Sequence, residues 1–166
     1  MVPAPVTATA YDSAVPTVRP VLTGRVRIGL IAVVIGLVGL FWVAATIDPY
    51  DPDGRPKLIG THQQLGLPAC NFVRLTGLPC PSCGMTTSFA LLVRGEVTAS
   101  LRANAVGTLM ALTLLGLIPW SAVSAARGRW IWIRSIEPWL LGAVIVFIAL
   151  ALIRWGIVLL VHWLNG

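Results

Sequence analysis

The fold of this chain is decided by a stretch that reads IGLIAVVIGLVGLFWVAATI from Ile28 to Ile47 and contains no charged residue. Two further runs resemble it: residues 103–126 carry no charge, and residues 138–153 carry none before Arg154. A helix needs about 20 apolar residues to cross a hydrocarbon core roughly 30 Å thick. Only 11% of the residues are charged, against about 25% in a typical soluble domain. The sequence therefore predicts an all-α integral membrane protein with three transmembrane helices.

The charges predict how these helices are oriented. Arg25 and Arg27 precede the first run, and Arg127 and Arg129 follow the second. Cytoplasmic loops carry an excess of basic residues, so we expect a multi-pass protein of the cell (inner) membrane with a cytoplasmic N-terminus. The net charge of +6 fits topology and lipid headgroups better than nucleic acid. The first apolar run is longer than a signal-peptide core of about 7–15 residues, which favours an uncleaved helix.

These signals divide the chain into six segments. We expect a disordered cytoplasmic tail (1–24), transmembrane helix 1 (25–47), an extracytoplasmic loop with a short interfacial or re-entrant helix (48–102), transmembrane helix 2 (103–126), a cytoplasmic turn (127–137), and transmembrane helix 3 with the C-terminus (138–166). Pro119 should kink helix 2, because proline lacks the amide that a helix needs.

The short helix is expected to begin near Pro81 and to end near Arg94, too soon to span a bilayer. Thr86, Thr87 and Ser88 gather on one of its sides, where they either line a small polar cavity or, more simply, face water. Asn104 fits a helix cap or a bond between helices. Arg154 is predicted to mark the outer interface by snorkelling, or to act within the membrane as a functional charge.

The chemically distinctive part of the chain is the segment GLPCPSCGMTT, from Gly77 to Thr87, with Cys70 upstream of it. In a redox interpretation, Cys80 caps a helix that begins at Pro81, and the helix dipole stabilises its thiolate. Cys80 then attacks, Cys83 resolves, and Cys70 is a second exchange partner.

In a metal interpretation, the same segment is a knuckle turn whose tight backbone depends on Gly84. It would supply two of four tetrahedral ligands to zinc or copper, with Cys70 and His62 as candidates for the others, or a second copy of the chain completing the site. A third interpretation is a structural disulfide or clamp, which persists in an oxidising compartment. Three cysteines are an odd number, so one would stay unpaired or pair between chains.

The segment from Cys70 to Asn104 resembles a bacterial membrane protein family classed as domain of unknown function 2752. The matching residues are Cys70, then TGLPCPSCGMT from Thr76 to Thr86, then Arg94-Gly95-Glu96 and Asn104. Thr87 stands where that family commonly has arginine, and Ala105 where it has proline; Arg74 or Arg94 are candidates to replace the arginine. The resemblance implies a multipass membrane protein with cysteines beside a short helix, and it implies no activity.

The sequence contains no zinc-protease, serine-hydrolase or paired-carboxylate motif. The leading hypothesis is therefore a non-enzymatic accessory or assembly component with a cysteine-clamped surface, acting with a membrane protein partner or as a homo-oligomer. The alternatives are a thiol–disulfide exchange protein using Cys80 and Cys83, and a metal-binding membrane protein.

Overall fold

The computed structural model describes residues 21–131 and 137–165, and the described residues form helices joined by loops. Its α-helices are α1 (Gly24–Thr46), α2 (Asn71–Thr76), α3 (Met85–Val93), α4 (Val97–Arg127) and α5 (Glu137–Asn165), with a 3₁₀ helix at Thr61–Leu65. Three of these helices, α1, α4 and α5, are long and apolar enough to cross a membrane. The predicted fold class is confirmed. Most of the predicted tail (1–24) and the middle of the predicted turn (127–137) lie outside the described residues.

The long helices run alternately up and down. The amide of Leu22, just before α1, donates to the carbonyl of Gly128, just after α4, at 2.8 Å. At the other end of α1, the Arg94 guanidinium donates to the Ala45 carbonyl at 3.0 Å. The first end therefore carries Arg25, Arg27, Arg127 and Arg129, while the cysteine segment lies at the second.

The short helix α3 is enclosed by protein rather than lying flat on a surface. Six consecutive residues of α3, from Thr87 to Leu92, are buried, because α3 packs between α1 and α4. The ring of Phe89 stacks on Phe41 of α1 with centroids 5.7 Å apart. The expectation that Thr87 and Ser88 face water was wrong: they are 1% and 0% exposed, and both are hydrogen-bonded.

Helix α4 begins earlier than predicted and is interrupted near its start. Residues 97–102, which were predicted to belong to the loop, are the first residues of α4, and the backbone leaves helical geometry at Asn104, with φ −159° and ψ 103°. Asn104 is the one residue within α4 whose backbone angles are non-helical. Pro119, where the sequence predicted a kink, keeps helical backbone angles.

Polar groups near this break are buried and paired with α3. The Ser100 hydroxyl donates to the Ser88 carbonyl at 2.8 Å and lies 2.7 Å from the Thr108 hydroxyl. A Cβ at Gly107 would overlap Ser88 Oγ and approach Met85, so the missing side chain lets the two helices approach closely.

Candidate functional site: a three-thiol cluster

The site is built on a tight turn from Cys80 to Gly84. The amide of Cys83 donates to the Cys80 carbonyl at 3.1 Å, and the amide of Met85 donates to the Ser82 carbonyl at 3.1 Å. Helix α3 begins only at Met85, with Gly84 as its cap. The expectation that Cys80 caps a helix starting at Pro81 was therefore wrong, and Cys80 lies a full turn before that helix.

Gly84 is required by both its conformation and its surroundings. Its φ is +83°, a left-handed value that residues with a side chain adopt at a cost. A Cβ at this position would lie 2.5 Å from the Ala103 carbonyl oxygen and 2.7 Å from the Leu58 carbonyl oxygen. The turn is thus pressed against the α4 backbone beside its break, which fixes Cys83 relative to the membrane helices.

Cys70 reaches the turn through the short helix α2. Its carbonyl accepts the first helical hydrogen bond, from the Arg74 amide at 3.0 Å, and Gly77 ends the helix in the left-handed conformation at φ +73°. The chain then returns through Pro79 to Cys80. As a result, the sulfurs of Cys70, Cys80 and Cys83 all lie within 4.8 Å of one another.

All three cysteines are free thiols in the structure, and they differ in exposure. Cys83 is buried, whereas Cys70 and Cys80 are partly exposed. The Sγ atoms of Cys80 and Cys83 are 3.1 Å apart, and the Cys80 amide donates to Cys83 Sγ at 3.2 Å. The pair of Cys80 and Cys83 therefore combines a partly exposed thiol with a buried one.

The environment separates the acidities of these two thiols. Burial acts to raise the pKa of Cys80, but hydrogen bonds from Ser82, Cys83 and Cys70 outweigh it and lower that pKa to about 7. Burial, together with the hydrogen bond to Cys80, raises the pKa of Cys83 to about 12. Hydrogen bonds from Ser82 and from the other two thiols, and not a helix dipole, therefore lower the pKa of Cys80.

Side chains from α4 and α5 hold the backbone of the turn. The fully buried Asn104 donates from Nδ2 to the Cys83 carbonyl at 3.1 Å and accepts the Gly107 amide on Oδ1 at 3.0 Å. From α5, the indole of Trp155 donates to the Pro79 carbonyl at 3.0 Å. The Arg154 guanidinium donates to the Ala103 carbonyl at 3.2 Å, at the break in α4.

A cavity of about 320 Å³ lies against the cluster. All three cysteines line it, and so do Thr86, Arg74 and His62. The imidazole of His62 does not join the sulfur cluster: its Nε2 lies 3.2 Å from the Pro68 carbonyl oxygen. Among the described residues, no other histidine, aspartate or glutamate joins the three cysteines.

The structure groups most of the residues singled out from the sequence. Gly84 forms the turn, Thr86 lines the cavity, and Asn104 and Arg154 hold the backbone around the turn. Sequence reasoning missed the indole bond of Trp155 and the buried Thr61, whose hydroxyl lies 2.9 Å from that of Thr87. Neither has a local signal, because each depends on a contact across at least 26 residues.

With this geometry in view, residues 70–118 match the family model described as Protein of unknown function (DUF2752). This match covers 49 of the 166 residues of the chain. The resemblance noted from the motif is confirmed, and the matched segment contains all three cysteines, α3 and Asn104. At the position where the family commonly has arginine, Thr87 bonds to Thr61, whereas Arg94 bonds to backbone carbonyls. No curated protein and no solved structure matches the chain.

Proposed function

We propose that this protein is a non-enzymatic membrane component in which Cys70, Cys80 and Cys83 bind a soft metal ion that clamps the loop surface. The observation that carries the proposal is the convergence of three sulfurs within 4.8 Å from two separate segments. Thiolates are the preferred ligands of zinc and of monovalent copper. A two-thiol redox cycle does not require the third cysteine to lie this close.

The sulfur spacing is compatible with a tetrahedral ion. A zinc–sulfur bond of about 2.3 Å puts two ligand sulfurs roughly 3.8 Å apart. The Cys80 and Cys83 sulfurs are 3.1 Å apart, and no pair exceeds 4.8 Å, so side-chain adjustments on the order of 1 Å would suffice. Metal binding would displace the thiol protons, which the open cavity allows to reach solvent.

We also propose that the cluster lies on the extracytoplasmic side. The opposite end of α1 and α4 carries the arginine group defined above, and the loop after α1 carries Asp48, Asp51 and Asp53. A clamp at this location would stiffen a surface for a membrane protein partner or for a second copy of the chain.

The experiment is metal analysis of protein purified in detergent with reduced thiols and supplied zinc or copper. We expect about one ion per chain in the unmodified protein and a value near zero for Cys83→Ser. Removing a ligand should lower the metal affinity by more than the 10–100-fold that is typical when a residue hydrogen-bonded to a ligand is changed. Thr113→Ala, an exposed change in α4 that removes only a bond within its own helix, is the control.

Two outcomes contradict the metal site: no metal in the unmodified protein, or equal metal in the serine variant. If Cys83→Ser fails to accumulate, Cys70→Ser at the partly exposed start of α2 gives the same comparison.

The second candidate is thiol–disulfide exchange, favoured by the contrast between an accessible Cys80 with a lowered pKa and a buried Cys83. The Cys80 thiolate would attack a disulfide of a partner protein, releasing one partner thiolate and forming a mixed disulfide. Cys83 would lose its proton and attack Cys80, releasing the second partner thiolate and forming Cys80–Cys83. A Cys83→Ser variant would then accumulate the mixed disulfide, and its absence would exclude this cycle.

A further inference from the structure

We infer that the metal in this site keeps one coordination position open to the cavity, and that this position binds a small exogenous thiol. The inference rests on the proposed metal function and adds a ligand to it. Its starting point is the number of ligands. Structural zinc sites are almost always four-coordinate, whereas three thiolates converge here. Within residues 21–131 and 137–165, no histidine or carboxylate joins them as a fourth ligand.

Protein backbone closes the rear of the cluster. The Cys83 carbonyl is held by Asn104 at 3.1 Å, and the next residue, Gly84, lies so close to Ala103 and Leu58 that it has no room for a Cβ. No ligand can enter from that direction. The remaining side is the cavity, whose wall includes all three cysteines.

The cavity has the size and the chemistry for a small ligand. Its volume of about 320 Å³ is at the lower end of the roughly 300–1,000 Å³ that ligand sites span. Its walls include the apolar side chains of Ile59, Leu67 and Val73, and the cationic Arg74. A soft metal favours sulfur as its next ligand, and the arginine favours a ligand that also carries a carboxylate.

His62 is the competing internal ligand, and its position argues against that role. Its Nε2 lies at hydrogen-bonding distance from the Pro68 carbonyl, which would leave Nδ1 as the ligand atom. The ligand atoms that lie within 4.8 Å of one another are the three sulfurs, and His62 is not among them. Three protein ligands leave the fourth tetrahedral position to an exchangeable ligand, so the ion can hold the loop together and still bind a small molecule.

The binding step is a simple ligand exchange. A thiol loses its proton to solvent, its sulfur forms a bond to the metal, and the bond between the metal and a water molecule breaks. No electrons are transferred, so neither an oxidant nor a reductant is required.

The test uses the full chain in detergent with Co²⁺ in place of zinc, because cobalt reports thiolate ligands by its charge-transfer absorption. Adding 3-mercaptopropionate should raise the intensity of that band by about one third, as a fourth sulfur joins three. His62→Ala should leave the spectrum unchanged before and after the addition.

A pair of variants on α2 tests the role of the cavity. Val73→Trp places a large ring in the cavity and should abolish the thiol-induced change while cobalt remains bound. Leu75→Trp is the matched control, because Leu75 lies on the same short helix, is 86% exposed and does not line the cavity; its response should equal that of the unmodified protein.

The outcomes separate this inference from the metal proposal. Cobalt that binds but ignores the thiol, or that loses a nitrogen ligand in His62→Ala, overturns the open position and leaves the metal site standing. A thiol response that persists unchanged in Val73→Trp overturns the cavity as the entry side. Failure to bind cobalt or zinc at all, with the three thiols reduced, overturns both proposals.

Discussion

Helix α5 and the cysteine turn contrast in how each is held in place. None of the membrane-spanning window of α5 is buried within the protein, and it makes few contacts with α4. The segment from Cys83 to Leu92 is instead mostly buried against α1, α4 and the loop, and buried hydroxyl and amide groups are hydrogen-bonded to it. Lipid solvation is therefore sufficient to stabilise most of α5 as a helix, whereas the conformation of the cysteine turn depends on individual contacts.

This contrast has a physical basis. An apolar helix in a bilayer satisfies its backbone internally, so hydropathy and length define it. A turn that carries thiols must be fixed by close packing and by hydrogen bonds that leave no buried group unpaired. We therefore expect similar substitutions to have unequal effects in the two regions.

The largest difference is expected for glycine. Gly84→Ala forces a Cβ against two carbonyl oxygens in a left-handed conformation, which we expect to cost about 3 kcal/mol in unfolding free energy. Gly142→Ala in α5 has open space around the new methyl group and should change little. Thermal unfolding in detergent measures both, and equal unfolding temperatures would remove the contrast.

Loss of Asn104 should have the next largest effect. Asn104→Ala leaves the Cys83 carbonyl and the Gly107 amide without their partner, and a buried unsatisfied group costs about 1–3 kcal/mol. The same unfolding measurement should show this loss, together with faster alkylation of Cys83 as the turn loosens. Thr113→Ala on the same helix is the control, and an Asn104→Ala protein as stable as this control would refute the clamp.

A smaller effect is expected where α5 contacts the turn. Trp155→Phe keeps an aromatic ring but removes the N–H that donates to the Pro79 carbonyl, a bond worth about 1 kcal/mol. Trp139→Phe, at a residue of α5 that is 68% exposed, should be nearly neutral. If the two variants unfold at the same temperature, the Trp155 indole makes no specific contribution to the stability of the turn.

The pH dependence of alkylation compares the two thiols of the closest measured sulfur pair, Cys80 and Cys83. In metal-free, reduced protein, Cys80 is protonated and slow to react below its pKa of about 7, and becomes a reactive thiolate above it. The pKa of Cys83, raised to about 12, keeps that thiol protonated at the same pH values. Mass analysis after timed alkylation should find modification at Cys80 first; preferential reaction at Cys83 would contradict the assignment.

The sequence was sufficient for the spans because their signal is local. The runs at 28–47, 103–126 and 138–153 each predict a helix by length and apolarity. The second and third lie within α4 and α5, and the first lies within α1 except for its last residue, Ile47. The family motif likewise located the cysteine segment. The sequence also has two pairs of small residues with the four-residue spacing that lets helices approach closely, Ala32/Gly36 and Gly107/Ala111. The second pair is buried and the first is exposed, so spacing alone does not reveal which helix face contacts a neighbour.

The details of the site lay beyond sequence reasoning because they depend on tertiary contacts. Helix α3 begins at Met85 and not after Cys80, and the contact of Gly84 with the Ala103 carbonyl that accompanies this start has no local signal in the sequence. The burial of Thr87 depends on a partner 26 residues away. Arg154 was expected to extend toward the outer interface. Its guanidinium donates to the Ala103 carbonyl, which lies beside the break at Asn104.

The most direct test of the account is native mass spectrometry of the detergent-solubilised chain, prepared without oxidant from membranes supplied with zinc or copper. The account predicts a mass equal to the chain plus one metal ion, less the protons of the thiols that bind it, and a bare chain mass for Cys83→Ser. A metal-free species lighter than the reduced chain by two hydrogen atoms would mean a disulfide instead, and would contradict the metal site.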